Sequence, residues 1–208
     1  MPQNTLVVEI DDASLRTLSR AGHRVILARA VGNSRPTVAW LACEPRGRTT
    51  VVWDDAYGLY AAHYVLAEGE PLCAVDVVHP AVDGAIYPFD GRWFGAPLAA
   101  PNVPRGHFDV RNDAKVGEAF GLLQSATIDG VVLTSPLNAI VLPQGFTADF
   151  SAMSAVYVWT AAAAAAGTVV SNVPVDEATV RFDAGDSAKT CRYDGHSSTF
   201  RPDGSTST

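Results

Sequence analysis

The residues best suited to chemistry crowd the middle of the chain, where Tyr87, Phe89, Asp90, Arg92, Trp93 and Phe94 follow one another closely. Tyrosine and tryptophan rings are apolar on their faces and hydrogen-bond at their edges. Exposed beside a carboxylate and a guanidinium, they make a platform for a sugar face or a lipid interface. The same rings can instead pack inward, as a long loop that covers a sheet edge or a barrel mouth. Both readings fit the residue types, inward packing somewhat better, and the side on which the rings lie decides between them.

His107 and Asp109 form a second constellation. On a strand, side chains two apart share a face, so these two can make a histidine–carboxylate pair for general-base work or a metal. With Tyr64 they supply the sparse polar set of an alternative reading, a small barrel enzyme or carrier of isomerase or cyclase type with an apolar interior. A structural hydrogen bond at a strand edge is the plainer account. His23, His63, His79, His107 and His196 lack the short spacings that preorganise half a zinc shell, and the aspartates at 54, 55, 183 and 186 match no calcium loop. No metal is expected, and Asp54 and Asp55 read as the end of a strand. Neither a Gly-x-Ser-x-Gly elbow nor a glycine-rich phosphate loop occurs, so no cofactor and no catalytic family is indicated. The balance leans away from an enzyme.

Such side chains need a scaffold, and 208 residues with 48% apolar and 18% charged content can bury a core without disulfide or metal staples. Residues 6–10 read as a strand. Asp11 and Asp12 then start a short helix that carries Leu15 and Leu18, with Arg20 in its last turn and Gly22 at its stop. Residues 23–31 and 37–43 read as a hairpin, and 49–53, 57–66 and 71–78 as further strands. From 79 to 105 five prolines break up regular structure, so an apolar-aromatic loop is expected there. Strands are expected again over 107–111, 121–128, 131–134, 138–142, 155–159, 167–171, 178–182 and 190–193. The strongest hairpin signal is Asp129-Gly130 between apolar runs. The alanine run 161–166 reads as a hairpin tip or a short helix between strands.

Many short strands at intervals of about ten residues predict an all-β fold with one N-terminal helix: an antiparallel β-sandwich, or alternatively a small closed β-barrel. Residues 1–200 form one domain or two similar halves joined at about 79–105, an echo between the strands of Trp53 and Trp159, and 201–208 form a flexible tail.

A formal charge of −7 argues against a nucleic-acid partner. No apolar run approaches the roughly 20 residues of a membrane-spanning helix. The first residues lack a basic and apolar leader, which points to the cytoplasm, or to secretion if a leader was removed or another export route is used. Cys43, Cys73 and Cys191 are odd in number and far apart, as expected of reduced, mostly buried thiols. In outline the pattern resembles the soluble β-sandwich lectins and cytolysins of microbes and fungi. That resemblance implies a non-enzymatic binding protein using its aromatic loop on a glycan or lipid surface. The alternatives are a small apolar ligand held inside a barrel, or a structural protein that assembles into homo-oligomers through its strands.

Overall fold

Strand β1 (Gln3–Glu9) feeds a nine-residue helix α1 (Asp12–Arg20) whose start is fixed by the Asp11 carboxylate, which accepts from the amides of Ala13 and Ser14 at 2.9 and 3.1 Å. Everything else regular in the computed structural model is strand. The structure describes residues 3–63, 67–162, 164–170 and 173–203. In chain order the further strands are β2 (His23–Val31), β3 (Leu41–Cys43), β4 (Arg48–Ala62), β5 (Ala74–Val78), β6 (Ala85–Phe89), β7 (Leu98–Ala99) and β8 (Phe108–Asn112). They continue as β9 (Glu118–Ile128), β10 (Val131–Pro136), β11 (Ile140–Leu142), β12 (Thr147–Phe150), β13 (Ala152–Ala162), β14 (Ala178–Arg181), β15 (Ala188–Asp194) and β16 (Thr199–Pro202).

The strands form three sheets. The largest runs β10-β9-β4-β1-β15-β16, with β11 also on β9 and β5 also on β4. The second runs β14-β13-β2-β3 and the third β12-β8-β6-β7. None closes on itself, so the fold is an all-β sandwich and the small closed barrel is ruled out; the sheets are not purely antiparallel as expected, since β1 pairs with β15 and β6 with β8 in parallel.

Period-two alternation explains how the sheets share one interior. On β2, Val25, Leu27 and Val31 point into the main core, while Ile26 and Ala28 join Trp159 in a smaller cluster on the opposite face. The main core draws Leu6, Val51 and Phe120 from the large sheet, Leu27 and Val158 from the second, and Val110 and Phe150 from the third. The hairpin expected at Asp129-Gly130 forms as a two-residue turn with φ of 46° and 90°, the twist that matches paired strands.

Four further expectations are corrected. The first concerns Asp54 and Asp55, which do not end a strand. β4 runs on through them, and the ladder to β9 steps from Trp53↔Ala126 to Tyr57↔Gln124, four residues against two, so residues 54–56 bulge outward. Within the proline-rich segment, β6 and β7 do form. The Pro88 carbonyl accepts from Gly95 N at 2.7 Å on the side away from β8, so the missing proline N–H lies there too and the ladder to β8 is intact. At the alanine run, Ala161 and Ala162 still pair with β2, neither hairpin tip nor helix, and residue 163 lies outside the described residues. The last is the expected tail, whose first residues, Arg201 and Pro202, belong to β16. Residues 204–208 lie outside the described set.

Gly121 shows how tightly the large sheet is packed. A Cβ there would collide with the backbone carbonyl of Asn138 and come within 2.8 Å of the Tyr60 ring. Both atoms are fixed, since the Tyr60 hydroxyl donates to that carbonyl at 2.6 Å and the Asn138 side chain accepts from Leu122 N at 2.9 Å. Gly121→Ala is therefore expected to lower unfolding free energy by about 2 kcal/mol or more, read as a fall in the urea midpoint at unchanged slope.

Candidate functional site

On β2 the inward row Val25, Leu27, Val31 also contains Arg29, a guanidinium that is only 3% exposed. Its Nη1 donates to Gln124 Oε1 at 2.5 Å and to the Tyr57 hydroxyl at 3.3 Å, and its Nη2 donates to the Met153 carbonyl at 2.6 Å. The rings of Trp40, Trp53 and Tyr57 surround it, with centroids 6.0, 5.9 and 5.7 Å from the guanidinium carbon. Among the described residues no carboxylate pairs with it directly. Compensation comes one step removed, through the Tyr57 hydroxyl, which donates to Asp55 Oδ1 at 3.2 Å. Burial raises the Tyr57 phenol pKa, against the opposing Arg29 charge and with Asp55 adding to the rise, so the phenol keeps its proton for Asp55.

Desolvating an ion costs several kcal/mol. Charge-assisted bonds return roughly 1.5–3 kcal/mol each and each ring about 0.5–2. The cluster offsets that cost only while it is complete, so removing any partner is costly. At this site Arg29 Nε and Trp53 Nε1 are buried without an acceptor among the described residues.

Both sheets are distorted at this point. On the large sheet the 54–56 bulge is tied down by Gln124, whose Nε2 donates to the Asp54 carbonyl at 2.7 Å. On the second sheet the ladder steps from Ala152↔Val31 to Val156↔Arg29, again four residues against two, so residues 153–155 bulge opposite Arg29 and bring in the Met153 carbonyl. The two bulges flank two clefts of about 390 and 410 Å³, within the range of small-ligand sites. Arg29, Asp55 and Ser154 line both. The first adds Asn4, Trp53, Phe182 and Asp183, and the second adds Tyr57, Phe108, Pro80 and Asp83. The result is a cationic floor, apolar walls and an acidic rim.

Of the residues singled out from sequence, Asp55, Asp183 and Asp186, weighed there for calcium, line the first cleft, while the aromatic segment and the His107–Asp109 pair lie elsewhere. Tyr87 and Phe89 are 1% exposed. The Tyr87 hydroxyl bonds the backbone of Val82, and Phe89 packs on Phe94 and Phe120 at 5.2 and 5.4 Å between ring centres. Phe94 is half-buried and its amide donates to Asp76 Oδ2 on β5 at 2.6 Å. These three rings therefore do not form a displayed platform. Trp93 does face outward, 54% exposed, with the Arg92 guanidinium 5.2 Å from its ring centre. Asp90 holds the turn by accepting from the amides of Arg92 and Trp93, both at 2.8 Å. Those bonds, that of Trp93 first, keep its carboxyl below the usual range.

His107 pairs with Asp149 rather than Asp109, its Nδ1 lying 2.9 Å from both carboxylate oxygens. Asp109 faces Asp149 directly across β8 and β12. Burial, then the Asp149 carboxylate, raises its pKa above 3.8, partly opposed by His107. Neither His107 nor Asp109 lines either cleft, and Tyr64 lies outside the described residues. Among the described residues no group of three His, Cys, Asp or Glu side chains is placed to hold a metal ion. Of the thiols, burial pushes Cys191 up to about 12 and Cys43 up to about 11, while Cys73 is exposed.

Arg29 and Ser154 were not legible as site residues, and Asp55 stood out only as a calcium candidate and a strand end. The available signal was an arginine on the inward row of a strand otherwise buried on both faces. Comparison with protein-family models, curated proteins and solved structures finds no match.

Arg29→Lys is expected to lower stability by about 2 kcal/mol or more despite conserving charge, because a single ammonium cannot span Gln124, Tyr57 and Met153. Denaturant titration measures it. For Asp109, a raised folded-state pKa means that its contribution to stability is present below 3.8 and lost as pH rises through the folded value. Asp109→Asn is therefore expected to raise the urea midpoint at neutral pH and to leave it unchanged well below 3.8.

Proposed function

We propose that this chain is a non-enzymatic, lectin-like binding protein that takes a neutral, hydroxyl-rich ligand of saccharide type between its two bulges. The observation that carries the reading is the convergence of Asp55 and Ser154, one from each bulge, on both clefts beside Arg29. Bulges re-aim side chains out of a ladder and are frequent beside ligand sites. Sugars present hydroxyl donors to carboxylates and C–H faces to apolar walls. Asp55, Asp183 and Asn4 supply the first kind of partner, and Phe182, Trp53 and Phe108 the second. An acidic rim on a chain of charge −7 disfavours phosphates and other anions. Among the described residues neither cleft is lined by a histidine, cysteine or lysine that could activate Ser154, and the Asp55 carboxylate is engaged by the Tyr57 hydroxyl.

The test is a panel of neutral mono- and disaccharides read by tryptophan fluorescence and calorimetry. Saccharide binding is expected, with Asp55→Asn, whose amide oxygen can still accept from the Tyr57 hydroxyl, weakening it about tenfold or more in folded protein, the equivalent of roughly 1.4 kcal/mol. No binding across the panel, or binding indifferent to Asp55→Asn, would overturn the reading. So would sedimentation with phospholipid vesicles that is lost in Trp93→Ala while no saccharide binds, which would move the function to the exposed turn.

A further inference from the structure

The large sheet ends differently on its two sides. At β16 the edge is charged: Arg201 pairs with Asp194 at 2.8 Å, and on the adjacent β15 Arg192 reaches Asp203 at 2.6 Å. At the other end β10 pairs, among the described residues, with β9 alone and carries Val131, Val132, Leu133, Thr134 and Ser135 with no charge. Val131 and Val132 are 61% and 67% exposed, and Leu133 and Thr134 are exposed as well, so neither face of the strand is covered. Natural sheets blunt such edges with lysine, proline or a covering segment. Between Glu118 and Asp149 the only charged residue is Asp129, and it is taken up by Arg46 at 3.2 Å.

The turn fixes which backbone groups are free. Residues flanking a two-residue hairpin turn bond each other, so Ile128 and Val131 form a mutual pair and Leu133 also turns its amide and carbonyl to β9. Val132 and Thr134 turn theirs away. Pro136 falls on the same outward side and has no N–H, which ends the row of donors.

We infer that β10 is the pairing edge of a symmetric dimer, a second copy of this chain lying antiparallel along it about a two-fold axis at Leu133. In that register Val132 of each copy faces Thr134 of the other, and the pair exchange N–H and C=O in both directions. An antiparallel edge centred on one residue is self-complementary, as a two-fold interface requires. The free row itself selects a second copy as the occupant: it holds Val132 and Thr134 between the turn and Pro136, and a copy turned about Leu133 meets both positions with none left over, along a strip without charge where two chains of −7 oppose each other least. Pro136 bounds the pairing, and once β10 is used the charged β16 edge offers no continuation, so the assembly closes at two.

Analytical ultracentrifugation of the full chain over a hundredfold range of concentration tests this. The wild type is expected to sediment with twice the chain mass at the upper end. Val132→Lys is expected to halve that mass, with a urea midpoint equal to the wild type's at concentrations where the wild type is monomeric, and Thr134→Pro, which removes an outward donor without adding charge but also gives up the Ser125 hydroxyl contact, is expected to halve it too. Hydrogen exchange of the Val132 and Thr134 amides is expected to slow as dimer forms. A wild type that stays monomeric, a dimer that survives both variants, or open-ended oligomers would each overturn the inference, and none bears on saccharide binding.

Discussion

A guanidinium held between sheets sets the terms for the centre of this molecule. Arg29 lies on the inward row of β2, where water cannot solvate it, and its charge must be met by whatever the facing strands can turn toward it. A regular ladder offers nothing, because its carbonyls are committed to neighbouring strands. Met153 and Gln124 meet the charge where both sheets depart from regularity, one from within a bulge and the other by fastening the opposite bulge through the Asp54 carbonyl. The charge, the two bulges and the clefts beside them are one arrangement, and altering any part alters the rest.

Much of the fold was legible because local chemistry decides it. The helix start is dictated by Asp11, and the turn at Asp129-Gly130 by residues that tolerate positive φ. What was not legible depends on partners distant in sequence. Two adjacent aspartates normally stop a strand, yet Gln124, about seventy positions away, fixes the Asp54 carbonyl and lets β4 continue. Pro88 is tolerated because the third sheet needs no donor on its outer side there. The short strand β12 is defined only by its pairing with β8.

The site was less legible than the fold. Aromatic residues draw attention in a sequence, but Tyr87 and Phe89 serve the interior and Phe94 braces the β5 edge through Asp76, leaving Trp93 outside. The residues that share the clefts are an arginine, an aspartate and a serine of no recognisable motif. The large sheet thus shows three treatments of an edge: β5 is braced by the aromatic turn, β16 is flanked by ion pairs, and β10 is left bare.

Each bulge adds two residues rather than one, and that even number matters beyond the site. Trp53 and Tyr57, like Ala152 and Val156, stay on the same side of their strands across the distortion. A single residue inserted as regular strand would instead exchange Leu59 and Ala61 with Tyr60 and Ala62. The rim of the clefts can therefore lengthen or shorten in pairs of residues while the interior keeps its register, which leaves ligand preference free to drift over a constant scaffold.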